Sequence, residues 1–234
     1  MRILRHLPAL AALLCAGACI PYATGTTAVP TPAGEMVPSV SVYFIPGGVE
    51  RLSEDSVGGG SYFGIDSEVR IGLDDRSDLG IRTPGWTGLV LNYKHRIDGR
   101  PGADGTALAY MVGAGIVNAG EHAHVEASLL ASGRPAGERA KVTPYGGLKA
   151  MHVLPMVEGA VSDDPTVGAF AGLRIGTAAF AITLELAVFY DRSALGLRDR
   201  DWIIVPSFTF QGDELMRRVF GARPGPGYPP RRWP

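Results

Sequence analysis

The amino-acid sequence predicts an all-β fold: an antiparallel up-and-down meander of about 8–10 strands closed into a barrel, with a polar small-residue lumen and an apolar exterior. Apolar and polar residues alternate with a period of two, most clearly in 62–73. There Phe63, Ile65, Val69, Ile71 and Leu73 share one face and Gly64, Asp66, Glu68, Arg70 and Gly72 share the other. No helical period intervenes, and clusters of Gly, Pro and Asp such as 74–77 and 83–86 separate the runs. Charged residues make up 19% of the chain. That falls short of the roughly 25% of ordinary soluble domains, too few to solvate a barrel's whole outside.

The elements follow in order from residue 39. Segments 39–45, 62–73, 78–83, 87–97, 107–118, 121–131, 142–153, 166–175, 179–190 and 202–210 each read as a strand. In 87–97, Leu89, Leu91, Tyr93 and Ile97 oppose Asn92, Lys94 and Arg96, and His95 is the polar intruder on the apolar side. Ser67 plays the same part in 62–73. Gly64, Gly72, Gly80, Gly113, Gly115, Gly168 and Gly172 lie on polar faces near Asp66, Glu68, Arg70, Arg82 and Arg174. Small residues and paired charges suit a tight interior, and the expected lumen lining also takes in Asn92, Lys94, Arg96 and Glu185. Tyr62, Trp86, Tyr93, Tyr110, Tyr190, Trp202 and Phe210 gather near strand ends, where interfacial girdles of a membrane barrel would fall.

The flanks differ in kind. Arg2 and Arg5, the apolar run 7–14 and Ala16-Gly17-Ala18-Cys19 read as an export signal over 1–18. The run is too short for a membrane-spanning helix, which needs about 20 apolar residues. Residues 19–38 are small, polar and proline-dotted without periodicity and read as a flexible tether. Residues 39–210 form the barrel domain, and 211–234 a basic Pro/Gly-rich tail that proline keeps irregular. The two cysteines, Cys15 and Cys19, lie in or beside the signal, which closes disulfide, zinc-ribbon and thiol-catalysis readings for the mature domain. Loss of Arg2 and Arg5 takes the balance from 22 basic and 23 acidic residues to 20 and 23, a net charge of −3. No basic patch calls for nucleic acid.

Ala16-Gly17-Ala18-Cys19 resembles the lipobox of bacterial lipoproteins, although Ala16 stands where that family usually has Leu. The resemblance implies a diacylglycerol on Cys19, and Ile20 in place of Asp implies sorting to the outer membrane. Segment 69–97 (VRIGLDDRSDLGIRTPGWTGLVLNYKHRI) resembles the hairpins of bacterial outer-membrane β-barrel proteins. The tight turn within 72–80 and the return Gly88-Leu89-Val90-Leu91 carry the likeness, which extends in style over 39–210. It implies outer-membrane lipid as the main partner, with envelope proteins or the cell wall as contacts for the tail. Two features depart from the family: 24 residues follow Phe210, where such barrels end on an aromatic, and 98–106 and 132–141 are long for periplasmic turns.

For chemistry, His122-x-His124-x-Glu126 is the one constellation of weight. Alternate residues of a strand point the same way about 7 Å apart, so two imidazoles and a carboxylate offer a metal site or a proton relay. The plainer expectation is a polar lumen stripe paired with Lys94, Arg96 or Lys149. The expected role is structural, binding or a narrow pore, with no cofactor and no catalysis. Two alternatives remain open: a small barrel enzyme acting on envelope lipid through His122, His124 and Glu126, and a soluble periplasmic barrel holding an apolar ligand in an inverted lumen.

Overall fold

A computed structural model describes residues 20–49, 60–97, 106–134, 141–158, 165–177, 179–191 and 201–212. The export signal, Cys19 and the tail from residue 213 lie outside the described residues. Ten strands form one antiparallel meander: β1 (Met36–Val49), β2 (Gly60–Gly72), β3 (Ser77–Pro84), β4 (Leu89–Arg96), β5 (Ala107–Val117), β6 (His122–Ser132), β7 (Lys141–Pro155), β8 (Thr166–Gly176), β9 (Ala181–Asp191) and β10 (Asp201–Gln211). Each pairs with its sequence neighbour, and β10 returns to β1 through Ser39↔Gln211 to Tyr43↔Ser207, so no edge is left open. The expected meander, its closure and its strand number are therefore what the chain adopts. An even number puts the start of β1 and the end of β10 at one rim, here called the lower rim.

Alternation sets which side chains face inward. On β4, Leu89 and Leu91 are exposed while Val90, Asn92, Lys94 and Arg96 are buried; on β6, His122, His124, Glu126, Ser128 and Leu130 are buried while Val125, Ala127 and Leu129 face out. Leu91 is 49% exposed and Lys94 1%. The polar faces are inside and the apolar faces outside, the reverse of a water-soluble barrel with a dry interior.

Glycine makes room for this interior. Tyr43 pairs with Gly64, Tyr145 with Gly172 and Phe189 with Gly168, and in each pair the aromatic ring occupies the space a Cβ on the glycine would fill. Tyr145 reaches Gly172 across β7 and β8, and Phe189 reaches Gly168 across β9 and β8. Gly80 likewise lies under the side chains of Glu68, Asn92 and Arg70. Gly64→Ala drives a methyl group into the Tyr43 ring, and an expected loss of about 1–3 kcal/mol checks this by urea unfolding in detergent.

The polar intruders on the outer face are met by neighbours. Ser67 Oγ accepts from Trp86 Nε1 at 3.2 Å, and His95 Nδ1 lies 2.8 Å from Ser77 Oγ. Tyr93 completes the second group, stacked on His95 with its hydroxyl 2.9 Å from Ser77 Oγ, and Tyr110 packs beside them. This aromatic cluster sits toward the lower rim. Tyr190 and Trp202, with ring centroids 5.3 Å apart, sit at the opposite rim.

Candidate functional site

The lumen is the site, and the stretch expected to hang free as a tether lies inside it. Residues 20–31 are buried apart from Val29, so the tether reading is corrected for this stretch. The chain turns into the barrel at the exposed residues Pro32, Ala33 and Gly34, where Ala33 bridges Gly72 and Gly34 N–H donates to Gly72 O. Residue 31 sits against Asp78 near the lower rim, and the thread runs up from there to Ile20 beside Tyr43.

Its main chain is held by the wall along its length. Asp78 Oδ2 accepts from Thr31 N–H at 2.7 Å, and Ser132 Oγ from Ala28 N–H at 2.7 Å. Lys94 Nζ donates to Thr27 O at 3.0 Å and Val29 O at 3.2 Å, and also to the Thr26 hydroxyl at 2.9 Å. The Glu185 carboxylate accepts from Thr24 N–H at 2.8 Å and Gly25 N–H at 3.1 Å, with Tyr145 OH donating to it at 2.6 Å. Gln211 donates to Gly25 O. Arg82 reaches Ala23 O at 3.2 Å and Thr24 O at 3.5 Å, Lys149 Nζ reaches Pro21 O at 2.5 Å, and Tyr43 OH reaches Ile20 O at 2.8 Å. Tyr22 packs its ring between those of Tyr43 and Phe189.

Gly25 has a φ of +61°, and a Cβ there would meet Thr209 Oγ1 at 2.6 Å and Ser41 Oγ at 3.0 Å. Both the backbone conformation and the space demand glycine at this position. A cavity of ≈ 240 Å³ remains between thread and wall near the lower rim, with Thr27, Thr143, Arg174 and Gln211 among its lining.

Every lumen residue named from the sequence faces inward. Glu68, Arg70, Arg82 and Asn92 join Asp78 and Lys94 in one network. Arg70 contacts Glu68 at 2.7 Å, Asp78 at 2.5 Å and Asn92 Oδ1 at 2.6 Å. Arg82 contacts Glu68 at 3.2 Å, Asn92 Nδ2 donates to Glu68 at 2.9 Å, and Lys94 lies 3.3 Å from Asp78. Buried charges endure only when paired and hydrogen-bonded, and this network meets that demand. Asp66 accepts weakly from Tyr43 OH and Gly85 N–H, leaving Oδ2 without a hydrogen bond. Arg96 is buried toward the lower rim, and Arg174 donates to Gln211 Oε1 at 3.2 Å and Thr177 O at 3.0 Å.

His122, His124 and Glu126 do share one inward row on β6. Glu126 pairs with Lys149 at 3.0 Å, while His124 Nε2 is 3.7 Å from Glu126 Oε2. Among the described residues no group of three or more His, Cys, Asp or Glu side chains is arranged to hold a metal ion. The ring nitrogens of both histidines have no hydrogen-bond partner. Lys149 pairs with Glu126 in this buried row, whereas Lys94 is engaged with Asp78 and the thread. Sequence reasoning missed Asp78, Tyr43, Tyr145 and the thread itself. A signal for the thread existed: 20–34 carries no Asp, Glu, Lys or Arg, as suits a segment enclosed by a charged wall.

Outside, the wall between the rims is apolar. Leu148 is 60% exposed and Trp202 62%, and a depression of ≈ 760 Å³ lies over Ala127, Ala150 and Ala169, walled by Tyr110, Leu148 and Trp202.

No protein-family model and no curated protein sequence matches the chain. Among solved structures, it is similar to an outer-membrane channel from Pseudomonas putida, at 10% identity over 82% of this chain and 99% of that one, with a TM-score of 0.47. It is also similar to the outer membrane protein OprG from Pseudomonas aeruginosa, at 12% identity over 80% and 99%, with a TM-score of 0.29. A third similarity is to Ail, the attachment invasion locus protein of Yersinia pestis, at 13% identity over 76% and 96%, with a TM-score of 0.25.

Proposed function

We propose that this chain is an exported outer-membrane β-barrel with a structural or binding role, whose bore its own residues 20–31 close. The observation that carries the reading is the inverted partition of side chains. Asp66, Asp78 and Lys94 are at most 1% exposed, whereas Leu91, Leu129, Leu148, Ile204 and Phe208 stand on the outside. An outer surface of this kind is costly in water and matched to acyl chains. The aromatic groups toward the two rims fit interfacial girdles.

Nitroxide labels on Leu91→Cys and Leu129→Cys test it in reconstituted vesicles. Both labels are expected to collide far more with dissolved oxygen than with a water-soluble nickel chelate. Preference for the chelate at both sites would reject a lipid-facing wall. Acylation of Cys19 belongs to the same proposal, and palmitate labelling that survives Cys19→Ala would remove it.

A narrow-pore role is compatible with this wall only when the thread is out of the lumen. Seated, it fills an interior that a ten-stranded barrel keeps intermediate between the packed eight-stranded case and water-filled porins.

A further inference from the structure

We propose that the lumen is a binding site for extended polypeptide main chain, and that residues 20–31 are its resident occupant, exchangeable for an uncharged, small-residue segment of a second polypeptide. The inference rests on the reading of this barrel as a binding protein and names what it binds.

The contacts divide sharply by kind. Glu185, Asp78, Lys94, Arg82, Lys149 and Tyr43 all reach peptide N–H or C=O groups of the thread. Side-chain contacts are fewer: Lys94 donates to the Thr26 hydroxyl, and the Tyr22 ring packs on Tyr43 and Phe189. Among the described residues the buried Thr24 hydroxyl has no hydrogen-bond partner, and neither do Thr183 and Ser207 on the wall. A wall shaped for this one sequence would pair its own hydroxyls with those of the thread; this wall pairs with the backbone every polypeptide carries. Main-chain recognition supplies affinity without reading sequence, the same division that governs strand addition at sheet edges.

The thread can also leave. Among the described residues it joins the barrel through Pro32, Ala33 and Gly34, which are exposed at the lower rim, and a Cβ on Gly34 would meet nothing within 4 Å. Carrying no Asp, Glu, Lys or Arg from 20 to 34, it forms no ion pair that would have to break. Withdrawal uncovers donors and acceptors in a row along the bore: carboxylates Glu185 and Asp78 for N–H groups, and Lys94, Arg82, Lys149 and Tyr43 for carbonyls. Water would solvate this row in an empty bore, and a new main chain would gain about 0.5–1.5 kcal/mol net for each hydrogen bond it restores. The Gly25 position, crowded by Thr209 and Ser41, adds one requirement: a glycine six residues into the segment.

The test cuts the folded protein. A protease site placed at 32–34 in the full chain is cleaved in detergent after folding, the released segment is dialysed away, and labelled peptides are titrated by fluorescence anisotropy. The probes are the 20–32 peptide, a scramble of it that keeps Tyr in third place and Gly in sixth, and a version N-methylated at the Thr24 and Gly25 positions. The native and scrambled peptides are expected to bind within about five-fold of each other, and the N-methylated one about 100-fold more weakly, having lost two hydrogen bonds to a carboxylate. Glu185→Gln is expected to weaken the native peptide about ten-fold.

A scramble that loses binding about 100-fold would make the segment a sequence-specific plug and overturn the proposal. So would a cut segment that never dissociates, or an emptied barrel that keeps its heat-modifiable migration and binds no peptide. Light scattering of the uncut protein separates sources: a monomer leaves a foreign chain as the donor, whereas a concentration-dependent dimer points to a second copy's own thread. Because the titration runs in detergent, it can fail while the lipid-facing labels succeed, and the reverse.

Discussion

Removing residues 20–31 is expected to turn a silent barrel into a conducting one. In planar bilayers the full chain is expected to pass almost no current, and the shortened chain at least about ten-fold more, because ten strands enclose a bore wider than side chains alone fill. The thread now occupies that space with Tyr22 wedged between Tyr43 and Phe189 and its backbone strapped to the wall. The wall network of Glu68, Arg70, Asp78 and Asn92 is bonded within itself and is expected to stay in place when the thread goes. Acidic and basic groups lie side by side along this wall, so the opened bore is expected to discriminate little between cations and anions. A shortened chain that folds and remains silent would mean that the wall side chains meet across the axis unaided.

Glu68→Leu is expected to cost the most stability of any single wall substitution. Glu68 is the one carboxylate in the ion pairs of Arg82 and one of two in those of Arg70, and it also accepts from Asn92 Nδ2. Leucine keeps the bulk but leaves Arg82 buried with the carbonyls of Ala23 and Thr24 as its hydrogen-bond partners among the described residues. Breaking a buried pair by removing one partner costs about 3–5 kcal/mol. Urea unfolding in vesicles reads this as a lowered midpoint, and Glu68→Gln, which keeps one acceptor oxygen but turns an amide NH2 toward the other arginine, should fall between the wild type and Glu68→Leu. A loss below about 1 kcal/mol would show that water already reaches the network.

The strands were legible because alternation is a local property. Phe63 to Leu73 announces both faces of β2 within one run, and the Gly-rich and Asp-rich turns mark its end. Orientation needed tertiary knowledge, since Leu91 outside with Lys94 inside gives the same letters as the reverse. Arg70 and Arg82 could be placed on a polar face, but their shared acceptor Glu68 could not be chosen, because pairing depends on register between strands. The Gly64, Gly168 and Gly172 positions were visible as small residues on polar faces, yet the rings above them lie on neighbouring strands, at Tyr43, Phe189 and Tyr145. The thread was missed for the opposite reason. A segment that hydrogen-bonds through its backbone to side chains needs no hydrophobic period, so its composition looks like that of a free linker.

The depth of Ile20 has a consequence for maturation. Its carbonyl is held by Tyr43 and it is only 3% exposed, enclosed by the wall one peptide unit from a sulfur that acyl chains could occupy. Consecutive Cα atoms are about 3.8 Å apart, so fatty chains on that sulfur would have to clear the barrel rim, or draw residue 20 out of the bore, to enter the bilayer. Under the proposed acylation, insertion of the fatty chains into the bilayer would then pull against seating of the thread.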